Sequence, residues 1–152
     1  MSRSFTIRKA TKQDAADIAR FNIAMAMETE NKELKKSEIE PGVKALFERP
    51  ELGFYMVAEH EGQVIGSLMI TKEWSDWRNG VFWWIQSVYV VPEFRRKGVY
   101  RSMYKKIKDI AAQKSDVCGF RLYVENENTI AQKTYSDLGM AETHYKMFEE
   151  MK

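Results

Sequence analysis

Apolar positions along this chain recur with two rhythms, every second residue or every three to four, and the switches between them divide it into elements. Residues 5–10 alternate apolar and polar in the manner of a short strand. Thr11 then offers a helix N-cap with Asp14 three residues on, a capping-box-like start, and Ile18, Phe21 and Met25 follow at helical spacing. Residues 29–40 are polar and mixed in charge and read as a loop or a poorly packed turn. Pro41 suits a first helical position, opening a short amphipathic helix with Val43, Leu46 and Phe47 that stops before Pro50. Residues 54–60 and 63–71 are strand-like, with Glu61-Gly62 as a tight hairpin turn between them. After a Trp-rich loop over residues 74–80, residues 81–91 (VFWWIQSVYVV) give the densest aromatic and β-branched run in the chain. At Pro92 the rhythm becomes helical: Val99, Met103, Ile107, Ile110 and Ala111 share one face, while Arg101, Lys105 and Lys108 point largely elsewhere. Residues 120–124 read as a strand, 128–138 as a helix and 140–149 as a final strand or pair. The order predicts a mixed α/β fold with helices flanking a central sheet, and with no repeat or linker it predicts one domain over residues 1–152.

Composition narrows the class. The 152 residues are 44% hydrophobic and 30% charged, as in a globular domain and unlike a disordered chain. A single cysteine, Cys118, excludes an intrachain disulfide framework, and with two histidines it leaves no structural zinc set, so no metal is expected. No run of 18 apolar residues occurs, so no membrane span is expected. The first residues lack the apolar core of a secretory signal, which points to the cytoplasm. The net charge of +2 is small, but it is unevenly distributed. Residues 1–76 carry 11 basic and 13 acidic side chains, residues 77–152 carry 13 and 9, and residues 95–108 hold seven bases and no acid.

Those seven bases lie where a buried strand runs into E-F-R-R-K-G-V-Y and then into an amphipathic helix. The first helical N–H groups have no intrahelical acceptor and the helix dipole favours negative charge there. Gly98 allows close backbone approach, and Arg95, Arg96 and Lys97 add full charges. The pattern suits an anion cradle, and equally a solvated basic helix start with a turn glycine. No GxxxxGK[ST] and no GxGxxG is present.

At this point the chain resembles the GNAT superfamily of N-acetyltransferases. Val88-Tyr89-Val90-Val91-Pro92-Glu93-Phe94-Arg95-Arg96-Lys97-Gly98-Val99-Tyr100 matches the family's strand-to-helix run, and Asn128, Ala131, Tyr135 and Gly139 match a second family stretch. The resemblance covers nearly the whole chain. It implies a mixed, mostly antiparallel sheet of about six to seven strands flanked by about four helices. It also implies acetyl-CoA as co-substrate, held by Val88, Tyr89, Val90, Arg95, Arg96, Lys97, Gly98, Val99, Tyr100, Arg101, Asn128 and Tyr135. Tyr135 takes the role of hydrogen-bond donor or acid toward the coenzyme sulfur, and a homodimer is compatible with the family. Two positions depart from the pattern: Tyr100 replaces a small residue, and Gln86 stands where some members carry a glutamate base. A Gln amide accepts no proton near pH 7, so Gln86 is left to orient water or substrate.

The implied chemistry is direct attack of an amine on the thioester. Candidates on the acceptor side are Glu28, Glu30, Glu73, Asp76 and Trp77, together with Gln86; spacing singles out none of the carboxylates as base. The tryptophans near residues 74–84 suit an amine with an apolar body, or else pack the core and a dimer surface. Cys118 has no Cys-His context and reads as a small buried residue. The expected function is an acetyl-CoA-dependent N-acetyltransferase favouring a small-molecule amine over protein. The alternatives are a non-catalytic acyl-CoA sensor with the same fold and, less favoured, a nucleic-acid-binding module built on the basic helix.

Overall fold

The computed structural model describes residues 4–152 and divides them into two compact units, one ending at Leu122 and one running from Tyr123 to Lys152. The first unit holds a five-stranded sheet in the order β1-β2-β3-β4-β5, formed by β1 (Thr6–Lys9), β2 (Gly53–His60), β3 (Gln63–Ser75), β4 (Gly80–Val90) and β5 (Val117–Arg121). β1 to β4 are mutually antiparallel, and β5 lies parallel to β4. Three helices belong to this unit: α1 (Ala15–Glu30), α2 (Lys36–Glu48) and α3 (Val99–Ala112). The second unit contains α4 (Thr129–Asp137). The α/β class and the four helices are as expected, but the described sheet has five strands rather than six to seven. Within the second unit, residues 140–149 form no strand.

Alternation places Tyr55 and Val57 of β2 on one sheet face, where they meet Ala15, Ile18 and Ala19 of α1 and Val43 and Leu46 of α2. Ile18 is fully buried, and burying a side chain of this size contributes about 1.5–3 kcal/mol. The opposite face carries Trp83, whose ring meets Phe54 and Phe120 edge-on, and Phe120 in turn meets Tyr104 of α3. Trp83 is therefore core, and Trp84 points to the other face, as the strand period demands.

Three boundaries differ from the sequence pattern. β5 runs from Val117 to Arg121, three residues ahead of the strand expected over residues 120–124. α2 begins at Lys36 and carries Pro41 in its interior instead of at its start. Ile39 packs on the α1–α2 core together with Val43, Leu46 and Phe47. That stripe, one turn longer than the pattern from Val43 onward, holds the first helical turns although Pro41 supplies no N–H. β3 extends to Ser75, so the Trp-rich loop shrinks to a turn closed by Asn79 N–H to the Asp76 carbonyl. The hairpin at Glu61-Gly62 is as expected: His60 pairs with Gln63, and both turn residues are left-handed, at φ 49° and 79°. Cys118 departs from expectation, being free and exposed rather than buried.

The entry to α1 is held by charge. Arg8 of β1 donates from two guanidinium nitrogens to the two oxygens of Asp14, at 2.8 and 3.0 Å, and the Thr11 N–H donates to the same carboxylate at 2.8 Å. Asp14 is buried. The Arg8 hydrogen bonds hold its carboxyl below the ordinary carboxylate range despite the opposing effect of burial, and the Thr11 N–H adds to the lowering. A lowered carboxyl contributes stability that is present above its unfolded value, about 3.9, and is lost as pH falls through the lower folded value. Asp14→Ala should destabilise the protein by about 1.5–3 kcal/mol at pH 7. In urea denaturation, the gap between wild type and variant should close as the pH is taken below about 4.

Candidate active site

The site grows out of an interruption in β4. Ser67 of β3 pairs with Tyr89, and Met69 pairs with Gln86, so Leu68 alone faces both Ser87 and Val88. This is a β-bulge, with Ser87 left-handed at φ 54°. On its other side β4 pairs with β5 only through Val81, Phe82, Trp83 and Trp84. Beyond Trp84, the β5-facing N–H and C=O groups of β4 have no ladder partner within this unit. An extended ligand chain can therefore pair with the backbone around Val88 and Val90.

β4 ends at Val90, and a 3-10 turn (Pro92–Phe94) leads into the segment before α3. Arg96 is left-handed at φ 62°, and Gly98, the N-cap of α3, lies at φ 80°. These two residues wrap the chain so that the orphan N–H groups of the first helical turn open outward. A Cβ built on Gly98 would meet nothing within 4 Å, so the space in front of the helix terminus is open. Gly98 is needed for its backbone conformation. Gly66 of β3 is needed for close approach: a Cβ there would lie 3.1 Å from the Tyr89 carbonyl oxygen and 3.4 Å from Val99. Arg96, Lys97 and Arg101 are exposed around the opening. Amide donors, open space and cations without an intervening acid fit a diphosphate, the group that coenzyme A presents. Tyr100 lies parallel to Tyr104, with ring centroids 6.1 Å apart, so its ring packs along the helix flank.

Arg95 behaves differently from its basic neighbours. Its Nε donates to the Val90 carbonyl at 2.8 Å, and one terminal nitrogen donates to Glu28 of α1 at 2.8 Å. Its guanidinium lies over the Tyr89 ring, which stacks on Phe21 of α1.

The acceptor candidates separate. Phe82, Trp84 and Gln86 of β4 share a face with Thr71 and Glu73 of β3. Gln86 donates to the Thr71 hydroxyl at 2.6 Å. Glu73 accepts on one oxygen from the Trp84 indole N–H at 2.9 Å and from Arg121 of β5 at 3.0 Å. Arg121 lies 3.7 Å over the Phe82 ring. Glu30, Asp76 and Trp77 are exposed, and Trp77 is 86% accessible. In the second unit, Asn128 caps α4 by accepting from the Ala131 N–H at 3.2 Å. Tyr135 is half-buried, and burial pushes its phenol pKa up.

The sequence pattern passed over Ser87, Arg121 and Gly66. A glycine inside a strand is a signal of close backbone approach, so Gly66 was readable. Ser87 was not, because nothing in its side chain favours a left-handed backbone. Since Gly98 holds a conformation an L side chain resists by about 1 kcal/mol, Gly98→Ala should weaken coenzyme A binding about fivefold in calorimetry.

A family model described as the acetyltransferase (GNAT) family matches residues 21–140. A solved structure of a possible acetyltransferase from Clostridium difficile 630 is 46% identical, covers 97% of each chain and superposes with a TM-score of 0.90. AAC(6')-Iy in complex with a bisubstrate analogue, CoA-S-monomethyl-acetylneamine, is 16% identical, with 98% and 99% of the two chains covered and a TM-score of 0.78. The glucosamine-6-phosphate N-acetyltransferase of Arabidopsis thaliana is 18% identical, with 98% and 99% covered and a TM-score of 0.72. These two show the shared fold. No curated relative matches the sequence.

Proposed function

The chain belongs to the acetyltransferase (GNAT) family, and on that premise we propose that it transfers an acetyl group from acetyl-CoA to a small-molecule amine by direct attack. The observation that carries this reading is the pairing of the β4 bulge with the cradle at α3: a backbone left open for an extended chain leads straight to donors for a diphosphate. Bound acetyl-CoA supplies an activated thioester. In this reading Val88 and Val90 offer backbone groups to the pantetheine chain, the Val90 carbonyl being shared with Arg95, and Tyr89 between them is paired with β3. Arg96, Lys97, Gly98, Val99, Tyr100 and Arg101 surround the phosphates; Asn128 and Tyr135, which belong to the second unit, keep the coenzyme roles that the family resemblance implies.

Proton transfer sets the demands on the remaining residues. A lysine-like amine has a pKa of about 10.4, so presenting it neutral at pH 7 costs about 4–5 kcal/mol. Gln86 cannot take that proton. Of the four acceptor-side carboxylates, Glu73 is the one on the face shared with Gln86 and Trp84, and it is our candidate to receive the cationic amine. Trp84 lines that face beside it, while Phe82 is buried beneath the Arg121 guanidinium, and the half-buried indole suits an acceptor with an apolar body. Tyr135, with its pKa raised by burial, keeps its proton and serves as a hydrogen-bond donor to the leaving sulfur instead of releasing a proton outright.

Incubation with acetyl-CoA and a panel of small amines, read by release of free thiol, should show saturable turnover. Coenzyme binding without turnover on any amine would favour the sensor reading, and salt-sensitive binding to DNA or RNA without coenzyme binding would overturn both. Tyr135→Phe should lower kcat at least about tenfold while coenzyme affinity stays nearly constant. Wild-type turnover in that variant would remove Tyr135 from the mechanism.

A further inference from the structure

Sequence spacing leaves Glu28 as one of several acidic residues on the acceptor side. Its contacts are with the coenzyme side instead. Glu28 sits in the last turn of α1 and accepts from Arg95 at 2.8 Å on one carboxylate oxygen. Its other oxygen is 3.4 Å from the Tyr89 hydroxyl, which donates to it. Arg95 also donates through Nε to the Val90 carbonyl at 2.8 Å and lies 5.4 Å over the Tyr89 ring centroid. Tyr89 is itself stacked on Phe21, two turns earlier in α1, at 5.1 Å. Arg95 is thus held on three sides, by a strand carbonyl, an aromatic face and a carboxylate from another element.

The residue that follows Arg95 is Arg96, the left-handed non-glycine at φ 62° on which the turn of the cradle depends. A backbone in that conformation persists only where its surroundings hold it. Arg95 is the last residue before the turn, and its side chain anchors it to β4 and α1 together. We infer that Glu28 is a positioning residue for the coenzyme cradle: through Arg95 it fixes the approach to the left-handed turn and so keeps the amides of residues 96–100 converged. Arg95 acts in this arrangement as a strut between strand and helix, and the phosphate charge is left to Arg96, Lys97 and Arg101. The inference rests on the proposed coenzyme reading for what the cradle binds, but the ordering of the loop is a property of the free protein.

Both partners are partly exposed, with side chains 43% and 42% accessible, so the effect is modest in size and specific in kind. Glu28→Gln should raise the Kd for coenzyme A about threefold to fivefold in calorimetry and leave the acceptor KM at saturating coenzyme unmoved. In the free protein, amide hydrogen exchange at residues 96–100 should accelerate by a similar factor. Arg95→Gln should do the same, and the double variant should be no worse than the more affected single one, because both remove one interaction. Unchanged exchange in Glu28→Gln would overturn the inference, as would a raised acceptor KM with a constant coenzyme Kd, which is the behaviour of an acceptor ligand. A wild-type protein that binds no coenzyme A would instead remove the functional reading, and the exchange measurement would still decide the role of Glu28.

Discussion

The structure turns on one constraint: β4 must be an interior strand of the sheet, paired with β3 along its length, and yet part from β5 over more than half of it. Its first residues pair on both sides, with β3 and with β5, and bury Trp83 in the core. From Gln86 onward the ladder to β3 is shifted by the bulge at Ser87 and Val88, and the ladder to β5 has ended. Giving up backbone hydrogen bonds in the middle of a sheet costs about 1 kcal/mol each, more where the groups stay buried and unmet. The left-handed Ser87 adds about 1–2 kcal/mol. A strand that carries this much local cost is held only by its packing, and the two faces supply it. Trp83 is locked by Phe54 and Phe120 on one side, and Tyr89 is locked by Phe21 on the other. The backbone that a ligand can use is therefore created by the same residues that keep the core together.

The charge distribution follows from that geometry. Overall the chain is almost neutral, at +2, but the segment around the α3 terminus is purely basic. Helix N-termini attract anions weakly by themselves, by about 0.3–1 kcal/mol at exposed sites. In the proposed reading the cradle strengthens this through its two left-handed residues and the exposed cations around them. Arg96, Lys97 and Arg101 are exposed, whereas Arg95 is already committed to Val90 and Glu28. One run of similar residues thus divides into a member paired to strand and helix and members open to solvent.

Much of this was legible in the sequence because it depends on local periodicity. The alternation in β4 forces Trp83 and Trp84 apart, the left-handed pair Glu61-Gly62 forms a hairpin, and the switch at Pro92 marks the strand-to-helix junction. What the sequence left open depends on distant partners. The first turns of α2 are polar by composition and become helical because Ile39 reaches the α1 core in spite of Pro41. The bulge at Ser87 reflects register with β3, a relation between strands that neither strand states alone. Arg95 could be placed at the cradle, but its partner Glu28 is 67 residues away, and no spacing rule connects them. Glu73 likewise looks like one surface carboxylate among several until Trp84 and Arg121 are brought to it by strand pairing.

The proton inventory then constrains the chemistry further. The amide at Gln86 is tied to Thr71, the phenol of Tyr135 is made less acidic by burial, and Glu73 is engaged by two donors. None of these is arranged as a strong base or a strong acid. In the proposed reading, catalysis acts through placement and hydrogen bonding, in which a thiolate is stabilised as it leaves and an amine is held in line. The remaining 4–5 kcal/mol needed to present a lysine-like amine in neutral form must then come from desolvation or from the acceptor itself. Each unit by which the acceptor's pKa lies below that of lysine recovers about 1.4 kcal/mol. A site of this kind therefore selects among amines by basicity as well as by shape, and amines whose pKa is depressed by neighbouring electron-withdrawing groups are the ones its chemistry favours.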